Sequence, residues 1–372
     1  MNKFEEYLRS HIAHHGPVDI GEFMGMAMGH PQYGYYATRD PFGQGGDFIT
    51  SPEISQMFGE LWGMWLADVW MKMGSPSRVY LVECGPGRGT LMSDILRVAK
   101  QVPNFYEALK VYLVEISPVL KSMQAQVLRG HEVHWLEGLS ELPDDGPVFV
   151  IGNELLDALP MRQFLKTEHG WGERVVSYDE DKSAFVYGYK EASSDFLQFV
   201  KAKAQHNDLV EFSPARSMFW QQVCERVRAQ GGAALFADYG YYQAGAGDSL
   251  QAVKGHEFVN VLQDVGDSDL SSHVDFGALV NVSVEAGVRV AEPTEQRDFL
   301  QMLGILNRAH ALKKNATDVQ KQEIEQAVER LIGVGQFGLG KLFKVIAVCS
   351  DDAIELCGFS SPSSFLRKQE SR

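Results

Sequence analysis

Cysteine is scarce in this 372-residue chain, and none of it is arranged for a pairwise motif. Cys84, Cys224, Cys349 and Cys357 form no C-x-x-C, and three of them lie in or beside apolar runs, the pattern of reduced core residues in an intracellular protein. Long apolar runs are missing too: none reaches the roughly 18 residues a membrane-spanning helix needs. Positive charge is in deficit, with 34 Lys plus Arg against 49 acids and a formal net charge of −15. That argues against a nucleic-acid binder, which shows a basic patch or stripe, and an acidic surface is repelled by anionic lipid. It favours a basic substrate, although a merely soluble acidic surface explains it equally well. The opening "MNKFEEYLRS" matches neither a signal peptide nor an Arg-rich transit peptide, so the compartment reads as cytoplasmic. His11, His14 and His15 have no partner acids or cysteines at ligand spacing; they read as solvated and no metal is expected.

What is present is enough apolar residue, 45%, for one large domain with insertions or for two domains. Residues 1–30 have helical patterning split by "HHGPVD". A Gly-, Pro- and Tyr-rich loop follows, and Ser51 with Pro52 at the first helical position opens "PEISQMFGELWGMWLADVWMKMG", read as one helix. Its Phe58, Leu61, Trp62, Trp65, Leu66 and Val69 recur at helical spacing and read as core. Strands at 79–84, 111–115, 132–136 and one ending at Ile151 alternate with helices from 91 and 118. Residues 161–190 switch to antiparallel-type alternation. A helix with Trp220 and Val223, the strand "GGAALFADYG", a Gly- and Asp-rich loop over 241–273, a helix, the strand "VRVAEPT", two amphipathic helices over 295–332 and a last strand "GKLFKVIAVCS" complete the pattern. Seven strands lie outside the antiparallel patch, which implies a mostly parallel sheet covered on both faces.

One stretch carries chemistry. "LVECGPGRGT" is an apolar strand running into Gly85, Gly87 and Gly89, two residues behind Glu83. A dinucleotide fingerprint requires glycine where Thr90 stands, and a P-loop requires a Lys that does not follow Gly89. Glu83 would repel a phosphate and suits a cationic ligand without one, such as S-adenosylmethionine (SAM); a glycine turn that binds nothing is the plain alternative. In "VYLVEISP", Glu115 stands at the end of the second strand, where an acid can accept hydrogen bonds from both ribose hydroxyls or simply face solvent. Thr50, Ser51, Glu53 and Gln56 lie at a helix start, where free N–H groups attract a carboxylate, or where Ser51 is only the cap. His273 and Asp275 form a His-x-Asp pair that reads as loop capping rather than as a general base.

"GDFITSPEISQMFGELWG", "LVECGPGRGTLMSDILR", "LVEISP", "GNELLDALPMRQF", "GGAALFADYG", "SSHVDFGAL", "EQRDFLQMLGILNRAHAL" and "GKLFKVIAV" occur in order. Together they closely resemble the MidA-like SAM-dependent methyltransferases, bacterial and mitochondrial relatives of the complex I assembly factor that methylates an arginine in a core subunit of that complex. The resemblance runs from about residue 15 to 348; Ser271 and Ser272 depart from it, and so does "FGLGKLFKV". It implies an α/β, class I methyltransferase (Rossmann-like) seven-stranded sheet with an N-terminal helical extension and inserted antiparallel strands. On that basis residues 1–75 are the extension and active-site loop, and 76–160 the first half of the methyltransferase domain. Residues 161–230 are an insertion, 231–350 the second half with a helical insertion at 295–332, and 351–372 a tail expected to be disordered.

The resemblance also implies SAM as cofactor and a protein substrate carrying an arginine, such as a complex I core subunit; a small-molecule acceptor and a non-catalytic assembly factor are the alternatives. A guanidinium stays protonated in water, so methylating it needs carboxylates that bind the fork, orient one nitrogen and accept its proton. "NELLDALP" after the fourth strand supplies Asn153, Glu154 and Asp157, with the two acids expected on one side of a first helical turn.

Overall fold

The structure, a computed structural model, describes residues 2–38, 50–193, 204–243, 245–336, 338–351 and 353–359. Contacts divide the chain into two units: Met1–Phe48, Leu156–Phe219 and Gln243–Asp275 form one, and Ile49–Leu155, Trp220–Tyr242 and Phe276–Arg372 the other.

The larger unit is built on a sheet whose main strands are β1 Val79–Cys84, β2 Leu109–Val114, β3 Val133–Leu136, β4 Val148–Asn153, β5 Gly232–Tyr241, β6 Arg289–Val290 and β7 Phe343–Cys349. Their order is β3-β2-β1-β4-β5-β7-β6. β1 through β5 pair in parallel, and β7 runs antiparallel to both β5 and β6. Every residue of β1, β4 and β7 is buried, which is why these strands read as unbroken apolar runs rather than alternating ones. The chain fills one side of the sheet with β2 and β3, then returns to β4 beside β1. The order therefore reverses between β1 and β4, where open α/β sheets place their ligands, beyond the carboxyl ends. Register aligns those ends: Cys84 stands opposite Val114, Glu83 opposite Ile151, and Asn153 opposite Ala237.

The helix Gln56–Lys72 buries Phe58, Trp62, Trp65 and Leu66 in this unit's core, together with Leu91, Ile95 and Leu96 of the helix Thr90–Ala99. The two helices approach through Gly59 and Gly63, one turn apart. A Cβ on Gly59 would stand 2.6 Å from the Asp94 Cβ, and one on Gly63 3.1 Å from the Val98 Cβ. Glu60 on the same helix accepts from Arg97 Nη1 at 2.7 Å and from Arg308 Nε at 2.7 Å.

Four expectations change in detail. The helix expected from Pro52 is two, Ser51–Ile54 and Gln56–Lys72, because Ser55 is extended (φ −163°) and its hydroxyl accepts from the Met57 N–H. Residues 295–332 hold three helices, Gln296–Met302, Ile305–Lys313 and Asp318–Ile332, since Gly304 turns left-handed between the first two. "VRVAEPT" contributes only Arg289–Val290 and the first residue of Thr294–Glu295, both paired with β7. The stretch read as loop at 241–273 forms a small antiparallel sheet from Gln251–Lys254, Glu257–Val259 and Asp269–Ser271; short, polar strands of this kind lack the apolar run that marks a strand in sequence.

That small sheet belongs to the other unit. There the expected antiparallel patch is Arg162–Thr167, Gly170–Asp179 and Ala184–Glu191, joined by Leu209–Phe212 and Val18–Asp19. The helices Lys3–His15 and Ile20–Gly29 share its core through Phe4, Leu8, Phe23 and Met24, packed with Val176 and Leu270. Asn2 and Glu5 close a capping box on the first helix. Most of the tail expected to be disordered, and most of the loop before Ser51, lie outside the described residues.

Candidate cofactor and catalytic site

Glu83 is the penultimate residue of an all-buried strand and is itself only 2% exposed. Its carboxylate is met by the Met92 backbone N–H, and its Oε2 has no hydrogen-bond partner among the described residues. Burial pushes its pKa up to about 8, the Met92 N–H offsetting only part of the effect. The three glycines that follow all adopt left-handed backbone, with φ of +65°, +53° and +86° at Gly85, Gly87 and Gly89. A side chain is strained there, and a Cβ on Gly85 would also meet Leu155 Cδ1 at 2.9 Å. Gly89 is then the cap of the helix Thr90–Ala99.

Glu115 leaves the end of β2 and is 8% exposed, so it is not a solvated strand-end acid. Its Oε1 accepts from the Ser117 N–H at 2.7 Å and its Oε2 from Gln124 Nε2 at 3.2 Å. Burial raises its pKa, while the Ser117 and Ile116 N–H groups, the Gln124 amide and Lys121 pull it back. Gln124 was not legible from sequence. It lies inside the helix Pro118–Val127, is fully buried, and also donates to the Gly87 carbonyl at 2.7 Å.

Beyond β4 the backbone turns sharply. Glu154 sits at φ +53°, a conformation non-glycine residues adopt rarely and which clusters at functional sites. Its N–H donates to the Ala237 carbonyl at 3.0 Å, and its Oε1 accepts from the Ser51 N–H and from Asn153 Nδ2, both at 2.9 Å. The Ser51 N–H expected to await a ligand carboxylate thus donates here to a protein carboxylate. Thr50 precedes the short helix Ser51–Ile54 and accepts the Glu53 N–H on its carbonyl; Glu53 approaches Arg88 of the glycine loop at 3.8 Å, and Gln56 begins the next helix. Ser51 Oγ and Asn153 Oδ1 are buried without hydrogen-bond partners among the described residues. The structure therefore brings together Glu83, the glycines, Glu115, Thr50–Glu53, Asn153 and Glu154.

The helical turn expected to align Glu154 with Asp157 is absent: residues 154–160 are bends and turns, because Glu154 leaves the strand in left-handed backbone. The division between the units falls at Leu155, and Asp157 belongs to the other one. There it is 6% exposed, its carbonyl accepts from Arg216 Nη2 and from the Ser272 N–H, and its charge acts with that of Asp269 on Tyr36. The Tyr36 phenol donates to Asp269 Oδ1 at 2.9 Å and its pKa is raised, first by burial and then by the two acids. In the same unit the His273 N–H donates to Ser249 Oγ and its carbonyl accepts from Arg216, while His11 contacts Glu22 at 3.2 Å and stacks on His15.

Two acids at the ends of adjacent parallel strands, a loop of left-handed glycines between them and a third acid across the switch point define a class I SAM-dependent methyltransferase. The donor set fits that cofactor: an orphaned buried carboxylate oxygen suits its cationic end, Glu115 suits ribose hydroxyls, and the glycines leave room for close backbone approach. Comparison with known proteins agrees. The family described as "Putative S-adenosyl-L-methionine-dependent methyltransferase" matches residues 61–294, and the chain belongs to it.

The chain is 34% identical over 361 residues to protein arginine methyltransferase NDUFAF7, mitochondrial, from Danio rerio, covering 90% of this chain and 84% of that protein. The protein of the same name from Homo sapiens is 34% identical over 353 residues, covering 87% and 78%. A crystal structure of a superfamily relative from Burkholderia thailandensis, bound to S-adenosyl-homocysteine, superimposes with a TM-score of 0.82 at 27% identity over 93% of this chain and 91% of that one. The cytoplasmic reading is corrected by these relatives, which are named as mitochondrial proteins. That reading rested on the opening "MNKFEEYLRS", which matches no targeting peptide, and on cysteines read as reduced.

Proposed function

We propose that this SAM-dependent methyltransferase is a protein arginine N-methyltransferase in which Glu154 is the proton acceptor. The observation that carries the reading is the Glu154 carboxylate, held past the end of β4 by the Ser51 N–H and Asn153 Nδ2 on a left-handed backbone. SAM, when bound, supplies a methyl group activated by its sulfonium. Glu83 and Gly85, Gly87 and Gly89 hold the methionine end, with Thr50, Ser51 and Glu53 closing beside them, and Glu115 takes the ribose. Asn153 fixes the direction of Glu154. The work left to the protein is to hold one guanidinium nitrogen in line and remove its proton as that nitrogen gains the methyl.

The curated relatives are named for arginine methylation, and the net charge of −15 favours a basic acceptor. A subunit of respiratory complex I is the acceptor to try first.

Glu154→Gln tests the reading. The amide keeps an oxygen for Ser51 and Asn153 but loses the charge and the basicity. SAM affinity, by calorimetry, should stay within a few-fold, while methyl incorporation into an arginine-bearing subunit falls by about 10²–10⁴-fold, the usual worth of a general base. Near-normal turnover would remove Glu154 from the chemistry.

A further inference from the structure

We propose that Gln124 is a positioning residue that locks the Glu115 carboxylate to the glycine loop, so that the ribose and methionine ends of the cofactor site are presented as one rigid unit. The inference rests on the SAM-binding reading above.

The geometry leaves Gln124 one role. Its carbonyl oxygen accepts from Trp135 Nε1 at 2.8 Å. An indole N–H can only donate, so the amide cannot be flipped. Its NH₂ is then forced toward two acceptors, the Gly87 carbonyl at 2.7 Å and Glu115 Oε2 at 3.2 Å. Its stem is also fixed. A Cβ on Gly89 would lie 3.5 Å from both the Cα and the Cγ of Gln124, so the last glycine of the loop packs directly on this residue. One side chain thus joins β3 through Trp135, the end of β2 through Glu115, and the loop after β1 through Gly87. Glu115 is held on its other oxygen by the Ser117 N–H, which caps its rotation from the opposite side. A carboxylate pinned at both oxygens presents its remaining lone pairs in fixed directions. A ribose diol, with two hydroxyls in a set geometry, rewards that fixity. Without Gln124 the acid could turn, and the Gly87 carbonyl would lose a buried donor.

The test is calorimetric titration with SAM and with S-adenosyl-homocysteine on the wild-type chain and on Gln124→Met, Glu115→Gln, their double variant, and Trp135→Phe. Gln124→Met keeps the volume and removes both donors; its SAM affinity should fall about tenfold or more, the scale of a buried hydrogen bond to a charged group. Acting in part through Glu115 predicts non-additivity: the double variant should lose clearly less affinity than the two single losses combined. Trp135→Phe, which leaves both NH₂ acceptors in place but frees the amide to flip, should lose a few-fold.

A pH series separates positioning from loose packing. Burial favours the protonated form of Glu115, and the groups that favour its ionised form are the Ser117 and Ile116 N–H groups, the Gln124 amide and Lys121. Removing the amide raises the Glu115 pKa further, so the acid-side loss of affinity should move to higher pH in Gln124→Met. Circular dichroism confirms folding; if Gln124→Met does not fold, Trp135→Phe carries the test by itself. Folded variants that bind like the wild type, or losses that simply add, overturn the proposal. A wild-type chain that binds no SAM would instead overturn the cofactor reading on which it rests.

Discussion

Glu83 offers the sharpest test of how the site is balanced before any cofactor arrives. Its carboxyl is buried at the end of β1 with an ordinary pKa of 4.5 in the unfolded chain and about 8 in the fold. The folded state therefore binds the proton more tightly, and between these two values the unfolded chain gives it up while the folded one keeps it. Stability must then fall as pH rises, at about 1.4 kcal/mol per pH unit. From pH 4.5 to pH 7 that accumulates to about 3 kcal/mol, and the loss levels off above about pH 8. Glu83→Gln keeps the shape, lets its oxygen accept the Met92 N–H, and cannot ionise. Urea unfolding of both proteins from pH 5 to pH 8 should show the variant gaining on the wild type as pH rises, by up to about 3 kcal/mol at neutrality. The same variant should bind SAM much more weakly, because a cationic ligand recovers energy from the ionised acid. Proton release on SAM binding, read by calorimetry in buffers of different ionisation enthalpy, should appear below pH 8 in the wild type and vanish in the variant. Parallel stability curves for the two proteins would refute the reasoning.

Two further outcomes follow from the geometry. Gly85→Val should stay folded but lose SAM binding in a calorimetric titration, since its φ of +65° and the 2.9 Å approach to Leu155 force the loop to move, at a strain of about 1–3 kcal/mol. Arg216→Ala should lower stability by at least about 3 kcal/mol in denaturant unfolding, because the buried guanidinium donates to the carbonyls of Leu156, Asp157, Ser272 and His273 and to the Ser272 hydroxyl, all of which lose a donor at once.

Local chemistry alone determined a good part of this protein. The all-buried strands announced themselves as apolar runs, because a central parallel strand needs apolar residues on both faces. Glycine at every second position after Glu83 announced a loop in left-handed backbone, because no other residue adopts it cheaply, and the acids at strand ends marked the ligand side of the sheet. The helix of Trp62 and Trp65 read as core because its period matched a helix turn.

What the sequence could not decide depends on partners far away in the chain. Nothing in "KSMQAQVLRG" says that Gln124 turns inward, since one buried amide in a helix is indistinguishable from its exposed neighbours until Trp135, Gly87 and Glu115 surround it. Nor did "NELLDALP" show that Glu154 leaves β4 in left-handed backbone, which cancels the helical turn that spacing suggested and sets its carboxylate against the Ser51 N–H instead. The short strands within 241–273 were hidden because they lack an apolar run. An apolar run or a glycine imposes its conformation on itself, whereas a polar side chain takes its place only from the donors and acceptors that the tertiary fold brings to it.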